Sequence, residues 1–228
     1  MKSSTMPGAC HRKELIVKDN FGITVKMYSL LSGLWKFLVQ KDEYSVLILG
    51  LDNAGKTTYL EQTKIQFNKN YQGMNLNKIT STVGLNIGKI TIGKVLLNFW
   101  DLGGQEELQS LWDKYYAESH AIIYIVDSSD RERIGESKEA FDKMIASEAL
   151  RGVPLLMLAN KQDLKECINV ADVRKVFNPV PQLIGQRECK VRGVSALKGD
   201  GVNDGIEWLV DSIKKNSLER PPLLKDIT

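Results

Sequence analysis

The sequence has few cysteines, no long apolar run and little net charge, and each absence excludes a class of protein. The three cysteines, Cys10, Cys167 and Cys189, are an odd number without the spacing of a metal site, so we expect free thiols rather than a disulfide framework. No stretch approaches the roughly 18 continuous apolar residues of a membrane-spanning helix, which predicts a soluble or peripheral protein. The 31 Lys and Arg against 28 Asp and Glu leave a net charge of +3, too weak a bias to indicate nucleic-acid binding.

The length and composition are those of an ordinary globular protein with one main domain. The chain has 228 residues, of which 43% are apolar and 26% are charged, and it is rather short for two full domains. We expect a poorly ordered extension over 1–26, an amphipathic helix and linker over 27–41, a domain over 42–218 and a short tail over 219–228. The tail is predicted because Pro221-Pro222 ends any preceding helix.

From Tyr44 onward, short β-rich runs alternate with longer helical patterns, which is typical of a parallel sheet with helices on both faces. Strands are predicted over 44–50, 85–92, 95–102, 121–127, 153–159 and 189–195. Helices are predicted near 55–67, 106–118, 131–149, 168–177 and 202–217. Because only Gly93-Lys94 separates the second and third strands, they should form an antiparallel hairpin. The predicted fold is therefore α/β, with a doubly wound, six-stranded, mostly parallel sheet and one antiparallel edge strand.

A phosphate-binding motif follows the first predicted strand. Residues 50–57, GLDNAGKT, fit GxxxxGK[ST] and open a helix, which is the context that the P-loop requires. The glycines let backbone N–H groups approach anionic oxygens, and the helix dipole adds to the attraction. Lys56 would pair with the outer phosphates, and the Thr57 hydroxyl would bind Mg²⁺. The predicted phosphate-binding residues are Asp52, Asn53, Ala54, Gly55, Lys56, Thr57 and Thr58.

A second motif, Asp101-Leu102-Gly103-Gly104-Gln105, lies at the end of the third predicted strand. There a carboxylate should lie beside the phosphate loop, so we expect Asp101 to hold Mg²⁺ through a bound water. Gly104 would donate its backbone N–H to the γ-phosphate, and Gln105 would orient the attacking water. Thr82, in the preceding polar loop, could close over Mg²⁺ when a γ-phosphate is present.

The loop between Asn68 and Thr82 contains no arginine, so no internal cation is found to neutralise charge in the transition state. Hydrolysis is therefore predicted to be slow, on the order of 10⁻³ s⁻¹ or below, without an activating partner.

A third motif, Asn160-Lys161-Gln162-Asp163, follows the fifth predicted strand. Asp163 can accept the adjacent ring N–H and amine of guanine, a pair that adenine lacks, so GTP should be preferred over ATP. Asn160 would brace the loop, and the stem of Lys161 would cover the base. Ser195 and Ala196, at the end of the sixth strand, complete the predicted base site, with a backbone N–H facing the guanine keto oxygen.

These motifs together resemble those of the ADP-ribosylation-factor family. The resemblance rests on residues 50–57, on TVGLN at 82–86, on WDLGGQE at 100–106 and on NKQD at 160–163. It implies a small GTPase domain over 42–218 with a P-loop NTPase fold, binding GTP or GDP with Mg²⁺. It also implies a guanine-nucleotide exchange factor, a GTPase-activating protein, effector proteins, and work in vesicle traffic on the cytoplasmic face of Golgi membranes, in exchange with the cytosol.

The resemblance further implies an amphipathic helix over residues 27–40 that is released from the domain on nucleotide exchange and then contacts the membrane. The apolar residues of this segment share one side of a helix, with polar residues on the other. Neither Met1-Lys2 nor Met27-Tyr28 supplies the glycine of a myristoylation signal, so a second attachment such as a membrane receptor is expected. Two alternatives remain open from the residues alone: a GTP-bound scaffold that never cycles, and a P-loop kinase or ATPase.

Overall fold

The computed structural model describes residues 40–178 and 187–223. The predicted extension over 1–26 lies outside the described residues. So does the predicted helix over 27–40, apart from its last residue, and so do residues 224–228 of the predicted tail. No helix within the described ranges is long and apolar enough to span a bilayer.

The described residues contain a six-stranded sheet in the order β2-β3-β1-β4-β5-β6. The strands are β1 (Asp42–Leu49), β2 (Leu85–Ile92), β3 (Val95–Leu102), β4 (Ala121–Asp127), β5 (Leu155–Asn160) and β6 (Cys189–Gly193). Neighbouring strands are parallel except β2 and β3, which form an antiparallel hairpin with β2 at the edge. The predicted sheet is confirmed, and Gly93 in the hairpin turn has the positive φ of 58° that favours glycine.

Within the described residues the helices are α1 (Lys56–Phe67), α2 (Glu106–Gln109), α3 (Asp113–Tyr116), α4 (Ile134–Ile145), α5 (Val170–Val176) and α6 (Val202–Lys215). Short 3₁₀ turns occupy Leu76–Lys78 and Glu148–Leu150. The single helix predicted over 106–118 is wrong, because the chain forms α2 and α3 with a turn between them. In that turn the N–H groups of Leu111 and Trp112 bond to carbonyls three residues back, and Trp112 is buried.

Two apolar clusters cover the two faces of the sheet, as a doubly wound fold requires. Along β1, Val46 and Ile48 belong to one cluster, while Leu47 and Leu49 belong to the other. The first cluster contains residues of α1 and α6, and the second contains residues of α4 and α5. The helices therefore enclose the sheet and leave the carboxyl ends of its parallel strands available for a ligand.

The C-terminal segment 220–223 is attached to the amino end of the sheet, away from those carboxyl ends. Leu223 forms an antiparallel bridge with Glu43, and Arg220 donates to the Ser119 carbonyl at 2.9 Å. His120 Nδ1 accepts the Ser45 N–H at 3.0 Å, and Nε2 lies 2.9 Å from the Pro221 carbonyl oxygen. Because Nδ1 is an acceptor, the proton is on Nε2, so neutral His120 joins β1 to this segment.

Acidification is expected to destabilise the protein through His120. Burial lowers the pKa of His120 below its usual 6.5, and the charge of Arg220 also lowers it, against the opposing hydrogen bonds to Pro221 and Ser45. The unfolded state therefore binds the proton more tightly, so the free energy of unfolding is greatest above pH 6.5 and falls as the pH drops below that value toward the folded-state pKa.

Urea unfolding at about pH 7.5 and about pH 5.5 measures this loss. The His120→Gln variant keeps a neutral donor and acceptor at both pH values, so its stability should change less between them. An equal change in the two proteins would contradict a role for His120.

Candidate nucleotide-binding site

The phosphate loop lies between β1 and α1 in a conformation that only glycine permits at two positions. Gly50 has a φ of 138°, and a Cβ there would lie 2.2 Å from the Ile125 carbonyl oxygen. Gly55 has a φ of 91°, and its Cβ would lie 2.3 Å from Asn160 Nδ2. The two glycines of the motif therefore let the loop pack closely against β4 and against the residue that ends β5.

Lys56 occupies the floor of this loop. The residue is buried, and its ammonium donates to the carbonyl oxygens of Gly50 at 2.9 Å and Leu51 at 2.7 Å. Burial lowers the pKa of Lys56 to about 8, although the carboxylates of Asp101 and Asp52 oppose the change. An ammonium has three N–H groups, so one donor remains for an anionic ligand, whose negative charge would raise the pKa again and favour the protonated form.

Three oxygen-bearing side chains meet beside the loop, as predicted for a magnesium site. Thr57 Oγ1 donates to Asp101 Oδ2 at 2.7 Å and lies 2.6 Å from Thr82 Oγ1. Thr82 Oγ1 is 3.5 Å from the same carboxylate oxygen. Residues 57, 82 and 101 are far apart in the sequence, and the fold places them within one hydrogen-bonded cluster.

This cluster fits a hard divalent cation. The other oxygen of Asp101, Oδ1, is buried and has no hydrogen-bond partner, and burial raises the pKa of Asp101 despite hydrogen bonds from Thr57, Asn86 and Thr82. A cation would compensate this buried carboxylate. Among the described residues no group of three or more His, Cys, Asp or Glu could hold a metal. A cation at this cluster would take one carboxylate and two hydroxyl oxygens from the protein, and phosphate oxygens and water would complete the ligand set that Mg²⁺ prefers.

The Gly103-Gly104 turn rests directly on the phosphate loop. A Cβ on Gly104 would lie 2.3 Å from the Gly50 carbonyl oxygen, so the predicted approach of Gly104 to the phosphate site is present. Trp112 Nε1 donates to the Gly103 carbonyl at 3.0 Å and ties this turn to the core. Gln105 follows at the start of α2 and is half-buried, but it is not among the residues that line the phosphate pocket.

The base-reading motif forms a second hydrogen-bonded group at the end of β5. Asn160 donates to the Ala54 carbonyl at 2.8 Å and accepts the Ala196 N–H at 2.9 Å, so it braces two loops as predicted. Ser195 Oγ donates to Asp163 Oδ1 at 2.7 Å, which fixes that carboxylate. Ser195 itself is buried, and it acts by positioning Asp163.

The two groups line adjoining pockets that share residues. One pocket is lined by residues including Asp52, Asn53, Gly55, Lys56, Thr57, Thr58, Thr82 and Gly104. The other is lined by Gly55, Thr58, Asn160, Lys161, Asp163, Leu164, Ala196 and Leu197. Because Gly55 and Thr58 line both, one ligand can place a planar base beside Asp163 and an anionic tail beside Lys56. Ala54, whose carbonyl oxygen accepts the hydrogen bond from Asn160, is buried and lines neither pocket.

Three contacts of the site were not predicted from the sequence. Lys161 Nζ pairs with Asp127 Oδ2 at 2.6 Å, which fixes the lysine stem in the base pocket. Asn86 donates to Asp101 Oδ2 at 3.2 Å. Arg133 pairs with Asp52 in the phosphate loop. Of these residues, only Asp127 could have been assigned to the site from the sequence, because it ends a buried strand at the carboxyl edge of the sheet.

Comparison with known proteins identifies the family to which the chain belongs. The model of the ADP-ribosylation factor family matches residues 29–213. The chain belongs to the ADP-ribosylation factor family. The resemblance inferred from the four motifs is therefore confirmed.

Individual members of the family cover most of the chain. ADP-ribosylation factor-related protein 1 of Bos taurus is 62% identical over 202 residues, which are 89% of this chain and 100% of that protein. The Homo sapiens protein of that name is 61% identical over the same shares. ADP-ribosylation factor-like protein 3 of Saccharomyces cerevisiae is 46% identical over 200 residues, 87% of this chain and 100% of that protein.

A solved structure of the ADP-ribosylation factor family shares the fold. The Arl6 BBS3 small GTPase of Trypanosoma brucei, solved with the nucleotide analogue GppNp, matches with a TM-score of 0.66 and 32% identity, over 76% of this chain and 98% of that one. As a family member with the P-loop fold, the chain is a small GTPase: a molecular switch that hydrolyses GTP and works with regulators and effectors. The P-loop kinase or ATPase alternative is thereby rejected.

Proposed function

We propose that the chain binds GTP or GDP with Mg²⁺, hydrolyses GTP slowly, and uses the nucleotide state to recruit effectors to Golgi-type membranes in vesicle traffic. The observation that carries the nucleotide part is that Gly55 and Thr58 line both pockets, one of which contains Lys56 and the other Asp163. The oxygen cluster beside Lys56 supports the choice of metal.

The residues of the site have separate tasks in this proposal. Lys56 offers its remaining N–H to the outer phosphates, and Asp163 accepts hydrogen bonds from guanine. Thr57, Thr82 and Asp101 would hold Mg²⁺, which supplies positive charge against the phosphates. Since Thr82 belongs to a loop, its place beside Thr57 would depend on the nucleotide, and effectors would read that difference.

The lining of the phosphate pocket supports the proposal of slow hydrolysis. No arginine is among the described residues that line the phosphate pocket, which agrees with the absence of arginine between Asn68 and Thr82. Gln105 directly follows Gly104, which lines the phosphate pocket. In the proposal its side chain would orient the attacking water at the γ-phosphate. An activating protein would supply the missing positive charge.

Replacing Gln105 by Leu tests the catalytic assignment. Single-turnover hydrolysis by the purified chain should proceed on the order of 10⁻³ s⁻¹, and Gln105→Leu should lower the rate by at least about tenfold, because leucine cannot orient water. Nucleotide affinity should change little. Gln72→Leu is a matched control, because Gln72 is exposed and does not line the phosphate pocket. Equal measurable rates for the normal chain and Gln105→Leu would remove Gln105 from catalysis. No hydrolysis by the normal chain, with or without cell extract, would favour a scaffold that never cycles.

The membrane part rests on the amphipathic pattern of residues 27–40, which lie outside the described residues except for the last. Flotation with anionic liposomes should recover more of the full chain loaded with a non-hydrolysable GTP analogue than with GDP, because the helix would be released only in the GTP state. Replacing Leu34 and Trp35 by Ser should abolish the difference. Equal flotation in both nucleotide states would contradict the coupling.

A further inference from the structure

An ion pair links the phosphate loop to the start of α4. Arg133 Nη2 lies 2.6 Å from Asp52 Oδ1, and Nη1 lies 3.5 Å from the Asp52 carbonyl oxygen. The two residues are 81 positions apart in the sequence. Asp52 also lines the phosphate pocket, whereas Arg133 does not. The guanidinium therefore contacts the carboxylate of a residue that lines the phosphate pocket, without lining that pocket itself.

Arg133 is held in this position from its own helix. Its Nε donates to Glu136 Oε2 at 2.9 Å, and its Nη2 donates to Glu136 Oε1 at 3.2 Å. The hydrogen bonds to Glu136 and then to Asp52 raise the pKa of Arg133, so its charge is constant. Two-point contact with Glu136 fixes the plane of the guanidinium and directs one N–H toward Asp52.

A carboxylate in a phosphate loop acts differently on the two nucleotides. GTP carries an additional phosphate and more negative charge than GDP, so an unpaired Asp52 would repel GTP more strongly. A guanidinium bonded to Asp52 cancels much of that charge and limits the directions that the carboxylate can take. The side chains of Arg133 and Asp52 are 34% and 33% exposed, so water and salt reduce the effect without removing it.

We propose that Arg133 is a positioning residue that sets the preference for GTP relative to GDP by neutralising and holding the Asp52 carboxylate. The inference rests on the proposed nucleotide function and deepens it: Arg133 acts through Asp52 and does not touch the nucleotide. It also explains how an acidic side chain is tolerated in a loop that binds anions.

The test compares dissociation constants of fluorescent GDP and a fluorescent non-hydrolysable GTP analogue in magnesium buffer, using the full chain. Arg133→Ala should lower the GTP-to-GDP affinity ratio by about threefold to tenfold, and high salt should shrink the difference. Arg133→Lys should keep most of the ratio because it keeps the charge. Asp52→Asn combined with Arg133→Ala should restore the ratio, since no carboxylate remains to repel GTP.

Arg131→Ala is the matched control, because Arg131 is an exposed arginine two residues away. A purely structural role for Arg133 would weaken both nucleotides alike and leave their ratio unchanged. That result, or a double variant with a ratio as low as Arg133→Ala, overturns the inference while leaving nucleotide binding intact. Failure of the unaltered chain to bind either nucleotide would instead overturn the proposed function together with the inference.

Discussion

Replacing Lys56 by Ala is expected to weaken the binding of both GDP and GTP by at least about 100-fold, which corresponds to about 2.7 kcal/mol. The substitution removes a buried ammonium that donates to Gly50 and Leu51 and has a third N–H for phosphate. Two effects therefore add: the loop loses a link between its own carbonyl groups, and the phosphates lose a charge-assisted hydrogen bond. Titration with fluorescent GDP measures the loss.

Lys143→Ala is the matched control for this variant, because Lys143 is exposed in the last turn of α4. Its nucleotide affinity should equal that of the unaltered chain. The melting temperature of nucleotide-free Lys56→Ala should be recorded as well, to separate weak binding from poor folding. Near-normal affinity in a folded Lys56→Ala protein would show that the phosphates lie elsewhere.

Replacing Asp163 by Asn is expected to change which base the protein accepts. Guanine presents two hydrogen-bond donors to the Asp163 carboxylate. The amide oxygen of asparagine could accept from one of them, but its N–H₂ group is itself a donor and would face the other. We expect GDP affinity to fall by about 100-fold. Xanthine has a carbonyl where guanine has its amine, so the amide N–H₂ could donate to it, and xanthosine diphosphate should become the better ligand.

Competition of GDP and xanthosine diphosphate for the labelled site measures this exchange. Asp211→Asn is the control, since Asp211 is exposed on α6 and lies outside the base pocket. The Ser195 hydroxyl now donates to Asp163, and it can also donate to an amide oxygen, so the loop should keep its shape. Unchanged selectivity in Asp163→Asn would remove Asp163 from base recognition.

The sequence predicts the parts of this site that depend on local spacing. The strands over 85–92, 95–102 and 121–127 match β2, β3 and β4 at both ends, because apolar runs there stop at turn residues. The close backbone approach at Gly50 and Gly55 was predicted because the P-loop motif is one continuous stretch of sequence. Asp101 was predicted to lie beside the phosphate loop because parallel strands bring their carboxyl ends to one edge of a sheet. Thr57 was predicted from the P-loop motif, and Thr82 from its place in the polar loop before β2.

The contacts that escaped prediction join residues with no common motif. Asp52 and Arg133 are 81 positions apart, and His120 and Pro221 are 101 apart, so no spacing rule relates them. The helix predicted over 106–118 failed for a tertiary reason: Trp112 turns into the core and donates to Gly103, which interrupts an otherwise helical pattern. Such choices depend on packing and not on local propensity.

Nucleotide selectivity of the unaltered full chain is the most direct test of the account. Labelled GDP should bind in magnesium buffer, unlabelled GDP and GTP should displace it, and ATP should need at least about a 1,000-fold higher concentration because Asp163 would be left without its two donors. No measurable affinity for GDP or GTP, or displacement by ATP at concentrations similar to GTP, would contradict the placement of one guanine nucleotide across the two adjoining pockets.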